Sequence, residues 1–246
     1  MSKNYLRAAM SRLFGSIVGV RTEEPVVALT FDDGPHPIYT PRLLDIFDRF
    51  DAKGTFFVTG AQAQAYPEII DRMVATGHAL GCHSYDHPSF PLINSKERRR
   101  QIRACSAALA GRDNKLFRPP FGNQSTKSYF DVRLMGYDVV MWTDLAEDWA
   151  GQDADFISQK LRGVITPGSI ALLHDNLFDA LDEKFVDHTP TLVAIERILQ
   201  EFGQRFRFVT VPQLLTSGRS IRKLSFRPPD KEFLSRLRAT GGLSKV

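Results

Sequence analysis

The sequence predicts an α/β fold built on a parallel sheet, and three observations lead there. Short runs of β-branched and aromatic residues alternate with helix-periodic segments along most of the chain. The 246 residues, 43% of them hydrophobic, are enough to bury one large core, so a single domain is expected. No internal repeat or low-complexity stretch breaks the alternation. Strands joined through helices pair in parallel by right-handed crossovers, which gives either an α/β barrel or a doubly wound sheet.

The first strand is expected over residues 26–30 and is followed by helical periodicity over 42–49. Strand 55–59, helix 68–76, a weak strand near Ala79 and helix 96–109 come next. Strands 116–118 and 139–142 precede helix 156–164, and the strongly apolar strand 170–173 precedes helix 192–202. A last strand over 206–209 brings the expected number to seven.

The ends read differently from the body. Leu6, Met10, Leu13, Phe14 and Ile17 recur at helical spacing, with Arg7 and Arg12 breaking any continuous apolar run. Residues 1–21 are therefore expected to form an amphipathic helix that caps the core, rather than a secretory signal or a spanning helix. The globular part, residues 22–216, is expected to end near Ser217–Ser220, leaving a basic extension over 217–246. Within it, Phe226, Phe233, Leu234 and Leu237 offer an apolar strap.

The net charge of +4 belongs to these ends. Residues 1–21 carry Lys3, Arg7, Arg12 and Arg21 and no acid, and from Arg219 onward eight Lys or Arg face only Asp230 and Glu232. The body between is net negative, which argues against a nucleic-acid-binding core, whereas the basic ends suit an anionic surface such as a membrane leaflet. Cys82 and Cys105 are too few for a disulfide scaffold and are expected as small buried residues in a reducing compartment. The expected location is cytoplasmic, with peripheral contact at the inner membrane face.

The polar residues worth notice fall where candidate strands end, which is where parallel α/β folds build their sites. Asp32 and Asp33 follow the first strand, and adjacent carboxylates can divide labour between binding a cation and accepting a proton. In HSYDH, His83 and His87 stand four residues apart, so both imidazoles can face one point. Two histidines and an aspartate make a three-ligand site that leaves a position open for water on Zn²⁺ or a related ion, as a hydrolase requires. His174 ends an apolar run and can protonate a leaving group. Arg118, Asp144, Glu147 and Asp148 also follow strands, while His36, His78 and His188 read as structural or exposed.

Taken together and in order, TFDDGP, HSYDH, RPPFG, EDW and LLHD resemble the polysaccharide deacetylase family, also known as carbohydrate esterase family 4. The resemblance runs from about Val26 to Leu215 and implies a distorted parallel (β/α) barrel of about seven units in a single domain. Carried onto matching positions, it implies Asp33, His83 and His87 as metal ligands and Asp32 as general base oriented by Arg118. It further implies His174 as general acid tuned by Asp148, with Phe121, Trp149 and Leu172 bordering the substrate groove.

Many family members carry an acid where this chain has Leu145, and Asp144 sits one position away. Relatives often have Tyr where Phe121 stands, although the backbone N–H there can serve as an oxyanion donor in either case. The implied activity is hydrolytic removal of N-acetyl groups from amino sugars or glycans, dependent on Zn²⁺ ahead of Co²⁺, Ni²⁺ or Mn²⁺. An O-acetyl esterase, another linear-amide hydrolase and an idle glycan-binding module are the competing readings. The expected partner is an acetylated sugar or oligosaccharide, with no nucleic acid.

Overall fold

The computed structural model describes residues 10–11, 14–178, 180, 183–229 and 235. In chain order it begins with β1 (Ser16–Arg21), β2 (Val26–Asp32), α1 (Tyr39–Arg49), β3 (Gly54–Val58), α2 (Gly60–Ala65) and α3 (Pro67–Ala75). There follow β4 (Ala79–Cys82), α4 (Ser95–Ala108), β5 (Leu116–Phe117), α5 (Thr126–Leu134), β6 (Asp138–Val139) and β7 (Asp144–Leu145). The chain continues with α6 (Ala154–Val164), β8 (Ile170–His174), α7 (Glu183–Val186), α8 (Thr189–Phe202), β9 (Arg207–Phe208), α9 (Val211–Thr216) and β10 (Arg219–Lys223).

Seven strands lie side by side in the order β6-β5-β4-β3-β2-β8-β7, and every ladder between them is parallel. β9 joins as an eighth strand, pairing with Val26 and Val27 of β2 before β3 takes up the ladder from Leu29 onward. The sheet curls, because β1 reaches both of its ends: Ile17 bridges to Val140 just past β6, while Gly19 bridges to Ser169 just before β8 and the Val18 carbonyl accepts from Thr143 Oγ1, just before β7, at 2.7 Å. Met141 N–H donates to the Ile17 carbonyl at 2.7 Å and Val20 N–H to the Gly168 carbonyl at 2.8 Å. β10 pairs antiparallel with β1 along its length and backs this seam.

The period of two in a strand sorts side chains between an inner and an outer layer. In β2, Val27, Leu29 and Phe31 join the large cluster beneath the helices, whereas Val26 and Ala28 join a smaller one with Ile17, Val20, Phe57, Leu116, Val140 and Ile170. The smaller cluster fills the barrel floor. Two and four residues beyond Ala28 the same inward face continues as Thr30 and Asp32, so apolar packing gives way to polar chemistry toward the strand ends. β8 repeats the pattern, with Ile170 on the floor and Leu172 and His174 above it. The open barrel agrees with the fold that the motifs imply.

The ends of the chain depart from expectation. Met10, Ser11 and Phe14 are helical and Gly15 N–H donates to the Ser11 carbonyl at 2.9 Å, but a strand begins at Ser16. Ile17 is thus a strand residue on the barrel floor, not the last apolar position of a helix. The β-branched Ile17, Val18 and Val20 favour the extended backbone and are buried there. The globular body does not stop at residue 216 either, because β10 is its seam-backing strand. Leu6, Leu13, Phe233, Leu234 and Leu237 lie outside the described residues. All seven expected strands are present, but the one expected over 139–142 is displaced to Asp138–Val139, and the two-residue β7 carried no pattern long enough to read. No helix among the described residues is long and apolar enough to cross a membrane.

The seam demands a glycine. Gly168 has a left-handed φ of 80°, and a Cβ there would stand 1.8 Å from the Val20 carbonyl oxygen. Left-handed backbone costs an L-residue about 1–2 kcal/mol even without a clash. Gly168→Ala is expected to lower stability by at least about 2 kcal/mol, measured as a lower urea midpoint with an unchanged m-value.

Candidate active site

Asp33, His83 and His87 converge at the open end of the barrel. Asp33 follows β2 directly, His83 follows β4, and His87 lies in the loop beyond it. His83 Nε2 and His87 Nε2 each stand 3.2 Å from Asp33 Oδ1, and all three side chains are buried. Asp33, Ser84 and His87 have left-handed φ values of 72°, 67° and 59°, which non-glycine residues adopt only when their surroundings dictate it. Those surroundings are visible: the Asp33 carbonyl accepts from Thr59 Oγ1 at 3.3 Å and Asn176 Nδ2 at 3.4 Å, and His87 N–H donates to Ser84 Oγ at 3.0 Å.

The donor set fits a divalent cation. The Arg118 carbonyl can only accept, so its 2.8 Å contact with His83 Nδ1 places the proton there and leaves Nε2 as a lone-pair donor toward Asp33. One atom from each of Asp33, His83 and His87 lies within 4.8 Å of the others, and two imidazoles with one carboxylate are ligands that Zn²⁺ and related ions accept. Phe178 N–H donates to Asp33 Oδ2 at 3.1 Å, leaving Oδ1 toward the histidines. Burial raises the Asp33 pKa, but His87 and His83 outweigh it and hold the carboxyl well below its usual range.

Asp32 is set beside this cluster by Arg118, which is fully buried in the barrel interior. Its Nη1 donates to Asp32 Oδ1 at 2.7 Å and to Thr30 Oγ1 at 2.8 Å, its Nε to the Val140 carbonyl at 3.2 Å and its Nη2 to the Met141 carbonyl at 3.0 Å. The guanidinium also lies 4.0 Å over the Phe57 ring. With Oδ1 committed, Asp32 Oδ2 is the oxygen that faces His83 Nε2, at 3.9 Å.

His174 approaches from the opposite side. In the parallel ladder between β2 and β8 it pairs directly with Asp32. Asp148 grips it twice, accepting from its backbone N–H at 2.7 Å through Oδ2 and contacting Nδ1 at 2.9 Å through Oδ1. Burial draws the His174 pKa down, but the charge and hydrogen bond of Asp148, helped by Asp33 and Asp32, push it up to about 9. His174 is therefore protonated at neutral pH, with Nε2 as the nitrogen not engaged by Asp148.

These groups open into one cavity of about 530 Å³. Asp32, Asp33, His83, His87, Phe121, Trp149, Leu172 and His174 all line it, Arg118 lies beneath, and Asp148 stands behind His174. The Phe121 ring sits 4.4 Å from that of His87, and Trp149 meets His174 edge-on at 5.4 Å. Leu145 lines the cavity, whereas Asp144 is exposed and accepts from Leu145 N–H, so Asp144 does not fill the place of the acid that many relatives have. Glu147 is paired with Lys160 at 2.9 Å.

His78 and His188 are buried and His36 accepts from the backbone N–H groups of Ile38 and Tyr39, in keeping with structural roles. Cys82 and Cys105 are free and buried in the main cluster. The sequence reading did not single out Trp142, Leu177, Phe178, Phe185 or Arg227, which also line the cavity. Apolar loop residues carry no chemical signature, and Arg227 stands in a segment rich in Lys and Arg.

A sequence profile described as polysaccharide deacetylase matches residues 19–140. A peptidoglycan-N-acetylglucosamine deacetylase of Bacillus cereus is 34% identical over 197 residues, covering 78% of this chain and 69% of the relative. A chitooligosaccharide deacetylase of Sinorhizobium fredii is 33% identical over 201 residues, covering 78% of this chain and 93% of the relative. The chain belongs to the polysaccharide deacetylase family. Its fold is that of the family as well: the crystal structure of a peptidoglycan N-acetylglucosamine deacetylase superposes with a TM-score of 0.77 at 28% identity, covering 87% of this chain and 99% of the other. The profile match stops short of Asp148, Trp149 and His174, and it is the barrel that brings Trp149 and His174 to the cavity, with Asp148 behind His174.

The buried pair beneath the cavity makes a stability prediction. Arg118→Met strands Asp32 as an uncompensated buried carboxylate, a situation that costs about 3–5 kcal/mol. The unfolding midpoint in urea is expected to fall accordingly, and a variant as stable as the parent would contradict the pairing described.

Proposed function

We propose that this chain hydrolyses the N-acetyl group of an acetamido sugar or oligosaccharide, releasing acetate and the free amine. The observation that carries this reading is the flanking of the Asp33, His83 and His87 cluster by Asp32 on one strand and His174 on the next, inside a cavity walled by aromatic rings. The relatives, a peptidoglycan-N-acetylglucosamine deacetylase and a chitooligosaccharide deacetylase, support it.

Asp33, His83 and His87 would hold a divalent ion, for which we propose Zn²⁺, and such an ion would supply Lewis-acid polarisation and lower the pKa of a nearby water. Asp32, fixed by Arg118 through one carboxylate oxygen, uses the other to take a proton from the attacking water. As the C–N bond breaks, the protonated His174 delivers a proton to the departing nitrogen, which is a poor leaving group without it. Asp148 holds the imidazole in the orientation that points its Nε2 away from the carboxylate and into the cavity. Phe121, Trp149 and Leu172 offer apolar faces against which a sugar ring packs.

Acetate release from acetylated sugars of increasing length, read with and without chelator, tests the reading, and an O-acetylated glycan in the same panel separates amidase from esterase. Asp33→Ala and His83→Ala are expected to lose bound metal by elemental analysis. Asp32→Asn is expected to keep its metal and lose about 100-fold or more in kcat. Full turnover by metal-loaded Asp32→Asn would remove Asp32 as the base.

The proton on His174 sets the alkaline limit. A pKa raised to about 9 means that the acid form is present below that pH and is lost as the pH rises through it. Asp148→Asn removes the main raising group, so the alkaline limb of kcat/KM is expected to move to lower pH, and an unmoved limb would argue against His174 as the acid.

A further inference from the structure

Arg227 is the one Lys or Arg among the described residues that line the cavity. The other charged groups there are already committed: Asp32 to Arg118, Asp33 to His83 and His87, His174 to Asp148. Arg227 itself is exposed, and among the described residues its guanidinium has no ion pair and no hydrogen bond. It is nevertheless not a loose surface cation. Its backbone bridges to Gln124, whose N–H donates to the Arg227 carbonyl at 2.8 Å, and Gln124 Nε2 reaches the Ser225 carbonyl at 2.9 Å and Ser16 Oγ at 3.1 Å. Phe226 meets the Tyr129 ring at 6.2 Å, and β10 ties the preceding residues to β1. Three independent attachments thus fix the backbone of the C-terminal strap at the rim, two residues past Gly122 of the cavity wall.

Resting on the reading of the cavity as a site for acetamido sugars, we infer that Arg227 is a specificity residue that selects substrates bearing an anionic group, a carboxylate or a phosphate, close to the acetamide. A guanidinium with no ion pair or hydrogen bond among the described residues is well suited to bind such an anion, offering up to two parallel N–H donors. An anion held by Arg227 at the rim leaves the neutral acetamide of the same sugar directed inward, toward Asp32 and His174. The strap therefore contributes to choosing the substrate, not only to closing the barrel.

The test compares three acetamido sugars: neutral methyl N-acetylglucosaminide, N-acetylmuramic acid with its carboxylate, and N-acetylglucosamine carrying an anomeric phosphate. Acetate release gives kcat and KM, and calorimetric titration gives binding, for the parent chain, Arg227→Ala and Arg227→Glu. The parent is expected to favour at least one anionic sugar over the neutral one, through KM. Arg227→Ala is expected to lower that anionic-to-neutral ratio about tenfold, and Arg227→Glu to invert it, with the preference fading at high salt.

Whichever of carboxylate and phosphate shows the effect identifies the anion. Equal treatment of the three sugars by the parent, or a ratio unchanged in Arg227→Ala, overturns the inference while turnover still upholds the deacetylase reading. Binding of an anionic sugar that is lost in Arg227→Ala, with no acetate released from any sugar, upholds the inference and overturns the deacetylase reading.

Discussion

The buried ion pair between Arg118 and Asp32 is the constraint on which the rest of the site depends. Two charges removed from water are costly unless each is fully satisfied, and here the guanidinium has two backbone carbonyls, a hydroxyl and a carboxylate around it and an aromatic ring against its face. Those partners come from β2, from β3 and from the segment after β6, so one side chain gauges the spacing of three separate parts of the barrel. The same residue offers its carbonyl to His83 Nδ1 and thereby selects the tautomer that can bind a cation. Structural order in the barrel interior and chemical order in the cavity are set by a single arginine.

Around that pair the site is layered by strand geometry. Alternation along β2 places Ala28 in the apolar floor, Thr30 at the level of Arg118 and Asp32 at the cavity. Asp33, the next residue, would face outward in a regular strand, and its left-handed backbone is what brings it back to the same opening. Adjacent carboxylates with different partners result. One is tied to a guanidinium and the other to two imidazoles, so they are unlike in environment although identical in type. Backbone strain at Asp33, Ser84 and His87 is concentrated where a cation would be held, and it is sustained at Asp33 by Thr59 and Asn176 and at His87 by the Ser84 hydroxyl.

Much of this was legible in the residues. The inward polar positions fall where apolar runs end, and the histidine pair announces itself by spacing, so Asp32, Asp33, His83, His87 and His174 are all legible in the sequence. The two ends of the chain were not. Ile17 fits a helical spacing and a strand equally well, and only a partner strand from the far end of the chain decides between them. Arg227 lies in a segment rich in Lys and Arg, where no local pattern distinguishes a residue turned to the cavity from its neighbours. β7, with two residues and one exposed side chain, is fixed by pairing with β8 and not by any preference of its own.

The pairing of the first described strand with the last has a consequence for how the molecule is made. During synthesis β1 is made long before β10, so Ile17 and Val20 lack their antiparallel partner until Arg219–Lys223 has been translated. Contacts so distant in sequence close late, because chain entropy must be spent before they return anything. The barrel floor is thus sealed at the end of assembly, and by the same strap that carries Arg227 to the cavity rim. A nascent chain that has already gathered its aspartates and histidines still lacks the rim cation until that final closure.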